Sequence, residues 1–170
     1  FVANGHVYPQ VDQVETGSTY RQPNQLFVNS GAGTFVDQSA LAGLHAMPAK
    51  VSRGASFGDY DNDGDLDIFV VELNDTPSLL RNDSAPQAGV HHWLAVRLFG
   101  QTSNRDGAGA RLRLKSGDTI QWRTLNGAAS YLSHNDLRVY FGLGKATKVE
   151  ELQIRWPDGT VHTLKDLPAD

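Results

Sequence analysis

Apolar residues along this chain recur with a period of two or in short unbroken runs, and no long stretch carries the 3.6-residue period of a helix. Residues 24–29 and 34–37 bracket Ser30-Gly31-Ala32-Gly33, which predicts a hairpin. Residues 54–58 form a small-residue strand, 68–73 a buried strand rich in β-branched and aromatic side chains, and 78–82 a further short strand. The second half predicts strands over 92–98, 110–115, 119–125, 137–141, 151–156 and 160–164. Within them Leu112 and Leu114 alternate with Arg111, Arg113 and Lys115, while Leu152, Ile154 and Trp156 share one face. Pro157-Asp158-Gly159 has the residues of a tight turn, with proline presetting φ and glycine taking the left-handed position. Residues 6–21 read as a loop and 39–44 as a single helical turn. The expected fold class is all-β.

Between the strands at 54–58 and 68–73 lies Asp59-Tyr60-Asp61-Asn62-Asp63-Gly64-Asp65-Leu66-Asp67, with an acidic residue at every second position. Such a run repels itself unless a cation sits among the carboxylates. Calcium takes six to eight oxygen ligands, and short loops supply them from alternating carboxylates and a backbone carbonyl. Counting from Asp59, Asp61 and Asp63 fall at positions 3 and 5, Gly64 at the sharp turn of position 6, Asp65 at the carbonyl position 7 and Asp67 at position 9. Position 12, where an EF-hand needs a bidentate Glu, is Val70, and a strand follows instead of a helix. The loop is therefore expected to bind calcium without being an EF-hand. Magnesium keeps several waters and fits a carboxylate-rich site less well.

Charge divides the chain. Residues 1–88 carry a net charge of −7 and residues 89–170 a net of +3, making the overall −4. The change places a boundary near Pro86-Gln87-Ala88-Gly89, dividing a repeat region at 1–88 from a second domain at 89–170. No apolar run is long enough to span a bilayer. Cysteine is absent, which excludes disulfides and thiolate chemistry. The opening Phe1-Val2-Ala3-Asn4-Gly5-His6 reads as the interior of a strand and its turn, implying a mature or shortened piece of something longer.

The stretch from Gly54 to Asp67, with Asn24-Gln25-Leu26-Phe27-Val28-Asn29 and Gly33-Thr34-Phe35, resembles the FG-GAP (VCBS-type) repeat of integrin-like β-propellers. That resemblance implies calcium held by the side chains of Asp59, Asp61, Asp63 and Asp67 and by the carbonyl of Asp65. Further along, four motifs stand in order: Ser103-Asn104-Arg105-Asp106-Gly107-Ala108-Gly109-Ala110-Arg111, Ser130-Tyr131-Leu132-Ser133, Phe141-Gly142-Leu143-Gly144 and Arg155-Trp156-Pro157-Asp158-Gly159. Together they resemble the ASPIC/UnbV domain. The expectation is thus about one propeller-type blade followed by a β-sandwich-like domain. Some 80 residues cannot close a propeller, which needs about four blades, so open strand edges invite pairing with another copy or domain.

Other constellations are weaker. Asn104, Arg105 and Asp106 in a Gly-rich loop could grip sugar hydroxyls or a carboxylate, or could serve the turn alone. Trp93 and Trp122 could stack on sugars, whereas Trp156 shares its face with core residues. The rings of His91 and His92 would diverge on a strand, as would Ser133 and His134, and no nucleophile elbow surrounds that serine. Asn74 and Asn82 each begin an N-glycosylation pattern. A net charge of −4 without a reader motif argues against nucleic acid. The leading expectation is a non-enzymatic, calcium-binding extracellular or cell-surface interaction module, with carbohydrate or another protein as partner and the periplasm as an alternative location. The competing expectations are a self-associating fibre or surface-layer subunit and a carbohydrate-active enzyme. The enzyme would need a carboxylate pair drawn from Asp106, Asp136, Glu150, Glu151 and Asp158.

Overall fold

The computed structural model describes residues 1–83 and 91–170. The boundary expected at Pro86-Gln87-Ala88-Gly89 and the Ser84 of the second glycosylation pattern lie outside the described residues. The chain is all-β, and it forms two compact units. One comprises Phe1–Ser56, Phe69–Leu80 and Ser130–Ser133; the other comprises Phe57–Ile68, Arg81–Ala129 and His134–Asp170. The whole acidic loop falls in the second.

In the first unit, β1 (Phe27–Asn29) and β2 (Phe35–Asp37) make the expected antiparallel hairpin, with Val28 opposite Val36. A 3-10 turn over Pro9–Gln13, with proline in its first turn, lies within the segment expected to be a loop, and another covers Leu44–Ala46. The strands β3 (Ser52–Gly58), β4 (Asp67–Glu72) and β5 (Ser78–Leu80) form a sheet in that order. Val51, Ala55 and Val70 are buried. The Glu72 carboxylate is also buried, and it accepts hydrogen bonds from Ser52 Oγ (2.8 Å) and Ser78 Oγ (3.2 Å). A buried carboxylate without such donors would be costly.

The second unit is built from β6 (His92–Val96), β7 (Arg111–Ser116), β8 (Thr119–Thr124), β11 (Val139–Gly144), β12 (Lys148–Arg155) and β13 (Val161–Pro168). Two short strands, β9 (Ala128–Ser130) and β10 (Ser133–His134), precede β11 and pair with each other. A four-stranded antiparallel sheet runs β13-β12-β7-β8, and β11 pairs with β6. The register sets Leu152 opposite Leu114 and Ile154 opposite Leu112, so the alternation seen in the sequence becomes one apolar surface. Phe141, Leu143, Val149 and Trp156 close the core against it. On the other face Arg113 pairs with Glu151 at 2.8 Å and Lys115 with Glu150 at 2.9 Å. Every expected strand differs from its expected range at one end or both; β1 covers Phe27–Asn29 rather than 24–29, β6 His92–Val96 rather than 92–98 and β12 Lys148–Arg155 rather than 151–156. The last runs on to Pro168, because Leu167 and Pro168 pair with Val149 and Lys148. The strand expected from residue 137 starts at Val139, since Asp136 and Arg138 are engaged by the acidic loop region.

Candidate metal centre

The loop is shaped by its own carboxylates. Asp59 is almost fully buried, and its two carboxylate oxygens accept from Asp63 N and Gly64 N, each at 3.1 Å. Asp67, equally buried, accepts from Tyr60 N at 3.1 Å and Asn82 N at 2.8 Å. Asp63 Oδ1 takes Asp65 N at 2.9 Å. Backbone N–H groups thus fix the carboxylates at the start and end of the loop, and the loop folds around them.

Gly64 is required twice over. Its φ of +95° lies in the left-handed region, and a Cβ there would sit 2.1 Å from Trp93 Nε1. Trp93 therefore closes one side of the loop, and its indole approaches only because position 64 has no side chain.

Oxygens of Asp59, Asp61 and Asp67 lie within 4.8 Å of one another. Two oxygens bonded to one calcium at about 2.4 Å can be no more than about 5 Å apart, so this spread fits a single ion. The donor set is all hard oxygen, as calcium or magnesium demands. Partial loss of water raises the Asp61 carboxyl above its ordinary value, and the charges of Asp63, Asp67 and Asp59 raise it further. Neighbouring like charges disfavour the ionised form, and a cation among the carboxylates would oppose that shift.

Of the five expected ligand residues, three are drawn together in this way. The Asp63 and Asp65 side chains are not part of that cluster, although both residues lie in the same turn.

A residue of the second half, which no local sequence pattern marks, completes the surroundings. Arg138 donates from Nη2 to the Asp59 carbonyl (2.6 Å), from Nη1 to Asn62 Oδ1 (2.7 Å) and from Nε to Asp136 Oδ2 (2.5 Å). Its guanidinium lies 5.3 Å from the Tyr140 ring centroid, and burial pushes the Tyr140 hydroxyl up to about 12. The one available hint was the excess of basic residues after position 88 against an acidic first half.

The other candidate residues are engaged elsewhere. Asn104 is held by its own loop, with Nδ2 donating to Ala108 O and Oδ1 accepting from Ala108 N. Arg105 is exposed, and Asp106 pairs with Arg97 at 3.3 Å rather than with Arg105. His92 Nδ1 meets Asp170 Oδ2 at 2.5 Å. Ser133 Oγ donates to Tyr131 O, and the His134 ring meets Asn135 O. Trp122 is 61% exposed, whereas Trp156 is buried and donates from Nε1 to His162 Nδ1. Asn74 sits exposed at a turn with a φ of 54°.

Residues 13–70 match the FG-GAP-like repeat model, and residues 100–170 match the ASPIC and UnbV model. The chain is 30% identical over 116 residues to cartilage acidic protein 1 of Xenopus tropicalis, covering 65% of this chain and 17% of that protein. It is 48% identical over 52 residues to cartilage acidic protein 1 of Mus musculus and of Homo sapiens, covering 31% of this chain and 8% of each. The chain thus spans less than a fifth of the length of these relatives. It carries an FG-GAP-like repeat followed by an ASPIC/UnbV domain.

Proposed function

We propose that the loop from Asp59 to Asp67 binds one calcium ion and that the chain is a calcium-stabilised, non-enzymatic, extracellular interaction module. Its sequence modules would be the repeat region at 1–88 and the second domain at 89–170. The observation that carries this is the convergence of Asp59, Asp61 and Asp67 oxygens to within 4.8 Å on a loop whose backbone N–H groups hold Asp59 and Asp67. Asp63 and the Asp65 carbonyl would complete the oxygen shell. The ion would offset the mutual repulsion of the carboxylates and lock β3 to β4 across the loop.

Two features favour binding over catalysis. Asp106, Glu150 and Glu151 are each paired to a different base, and Asp136 to Arg138, while Asp158 accepts from Thr102 and from Thr160 N. Among the described residues lining the groove of about 180 Å³ formed by Phe57, Leu66, Asn126, Asn135, Arg138 and Tyr140, Asp136 is the single carboxylate. A glycosidase needs two facing one another.

Calorimetry on EGTA-treated protein tests the reading: stoichiometric heat on adding calcium and a raised melting temperature are expected. No heat and no thermal shift would overturn it. Self-association is a second reading, favoured by the apolar residues exposed on the β1–β2 hairpin.

A further inference from the structure

We propose that Arg138 is a positioning residue for the ion loop: its guanidinium holds the first turn of the loop in the shape that admits the cation. The inference rests on the calcium reading above and assigns the control of that site's affinity to a residue distant in sequence.

The geometry is that of a planar fork used on three sides. One edge grips the Asp59 carbonyl at 2.6 Å and Asn62 Oδ1 at 2.7 Å, while Nε is held by Asp136. Asp59 and Asn62 are positions 1 and 4 of the loop, and Asn62 has a φ of 59°, in the left-handed region. The fork therefore ties the backbone at the first ligand to the tip of the turn. The buried Asp59 carboxylate is held by the N–H groups of Asp63 and Gly64, the two residues that follow Asn62, so the turn that the fork ties down is the turn that aims this carboxylate. Arg138 is itself well anchored. Its own N–H donates to Asp136 Oδ1 at 3.0 Å, Asp136 N donates to Phe57 O at 2.9 Å, and Asn135 Oδ1 accepts from Phe57 N at 3.1 Å. The segment 135–138 is thus docked along the residues that lead into the loop.

Charge alone does not explain the arrangement. A cation beside a calcium site would oppose the ion, yet the Asp136 carboxylate pairs with this one. What remains is directional hydrogen bonding from a rigid planar group, which lysine cannot reproduce because its three donors share one nitrogen on a flexible stem.

The test compares calcium affinity with stability in the calcium-free state, on the whole chain. Calcium titration calorimetry on EGTA-treated wild type, R138K, R138Q and N62G is paired with melting of each in EGTA. Loss of partners around metal ligands commonly weakens metal affinity by about 10-fold or more. A loss of about that size is expected in R138K and R138Q alike, with N62G weakened in the same direction. Wild-type affinity in R138Q, with or without a lowered melting temperature in EGTA, would make Arg138 a structural brace only and overturn the inference. Affinity restored by R138K would overturn it in favour of plain charge. Should R138Q fail to fold, N62G decides, since it leaves the Arg138–Asp136 pair in place, and wild-type affinity there overturns the proposal. If the wild type takes up no calcium, the underlying reading falls first and this inference with it.

Discussion

At the residue scale, Gly64 and Asp136 show how the loop is held from opposite directions. Any side chain at position 64 meets a left-handed backbone at φ +95° and the body of the Trp93 indole at once. Gly64→Ala is therefore expected to cost about 2 kcal/mol or more, the sum of backbone strain and displaced packing. Urea denaturation measures it, and a loss below about 0.5 kcal/mol would show that Trp93 moves aside freely. Asp136 is governed by an opposition. Burial alone would raise its carboxyl, but hydrogen bonds from the Arg138 N–H and guanidinium, together with the Arg138 charge, hold it below the ordinary value of 3.8. A carboxyl depressed in the folded state adds stability that is fully present above its unfolded value and lost as pH falls through the folded one. Acid titration of stability in EGTA should thus show a component lost below about pH 3.8 in the wild type and missing in Asp136→Asn. Identical acid limbs would show that the pair with Arg138 contributes nothing.

At the scale of elements, the alternation along β7 and β12 does most of the structural work. Leu112, Leu114, Leu152 and Ile154 are all buried, and their cross-strand register joins two apolar rows into one surface. Leu152→Ala should cost about 2–5 kcal/mol in urea denaturation, as truncation of a buried leucine does. Val161→Ala, on the exposed side of β13, should stay within about 0.5 kcal/mol. These strands were legible in the sequence because period-two alternation reports one buried face directly. The loop was legible for a related reason: five acids at fixed spacing are costly without a cation, whatever the fold. Arg138 was not legible, because its partners lie 76 and 79 residues away and no local pattern records such a pairing. The same holds for the buried Glu72, whose donors Ser52 and Ser78 come from two different strands. Asn104, Arg105 and Asp106 show the converse. Their residue types suit ligand binding, yet Asn104 is spent on shaping its own loop and Asp106 on Arg97.

At the scale of the whole molecule, the hairpin of β1 and β2 is the element least provided for. Phe27, Val28, Phe35 and Val36 are all exposed, Phe35 by 65%. The two strands pair with each other in a sheet of their own. An isolated two-stranded hairpin is marginal in water, and unpaired edges beside apolar side chains are templates for pairing with another chain. The second copy of this chain is the partner always present in a purified sample. Concentration-dependent self-association is therefore expected in light scattering, independent of calcium because none of the four residues belongs to the acidic loop. Phe35→Lys should reduce it by placing a charge on the exposed face, while leaving calcium affinity unchanged. A sample that stays monomeric across the concentration range, or a Phe35→Lys variant that associates as strongly as the wild type, would remove this surface from consideration. Association that appears only with calcium would instead move the contact from the hairpin to the ion loop.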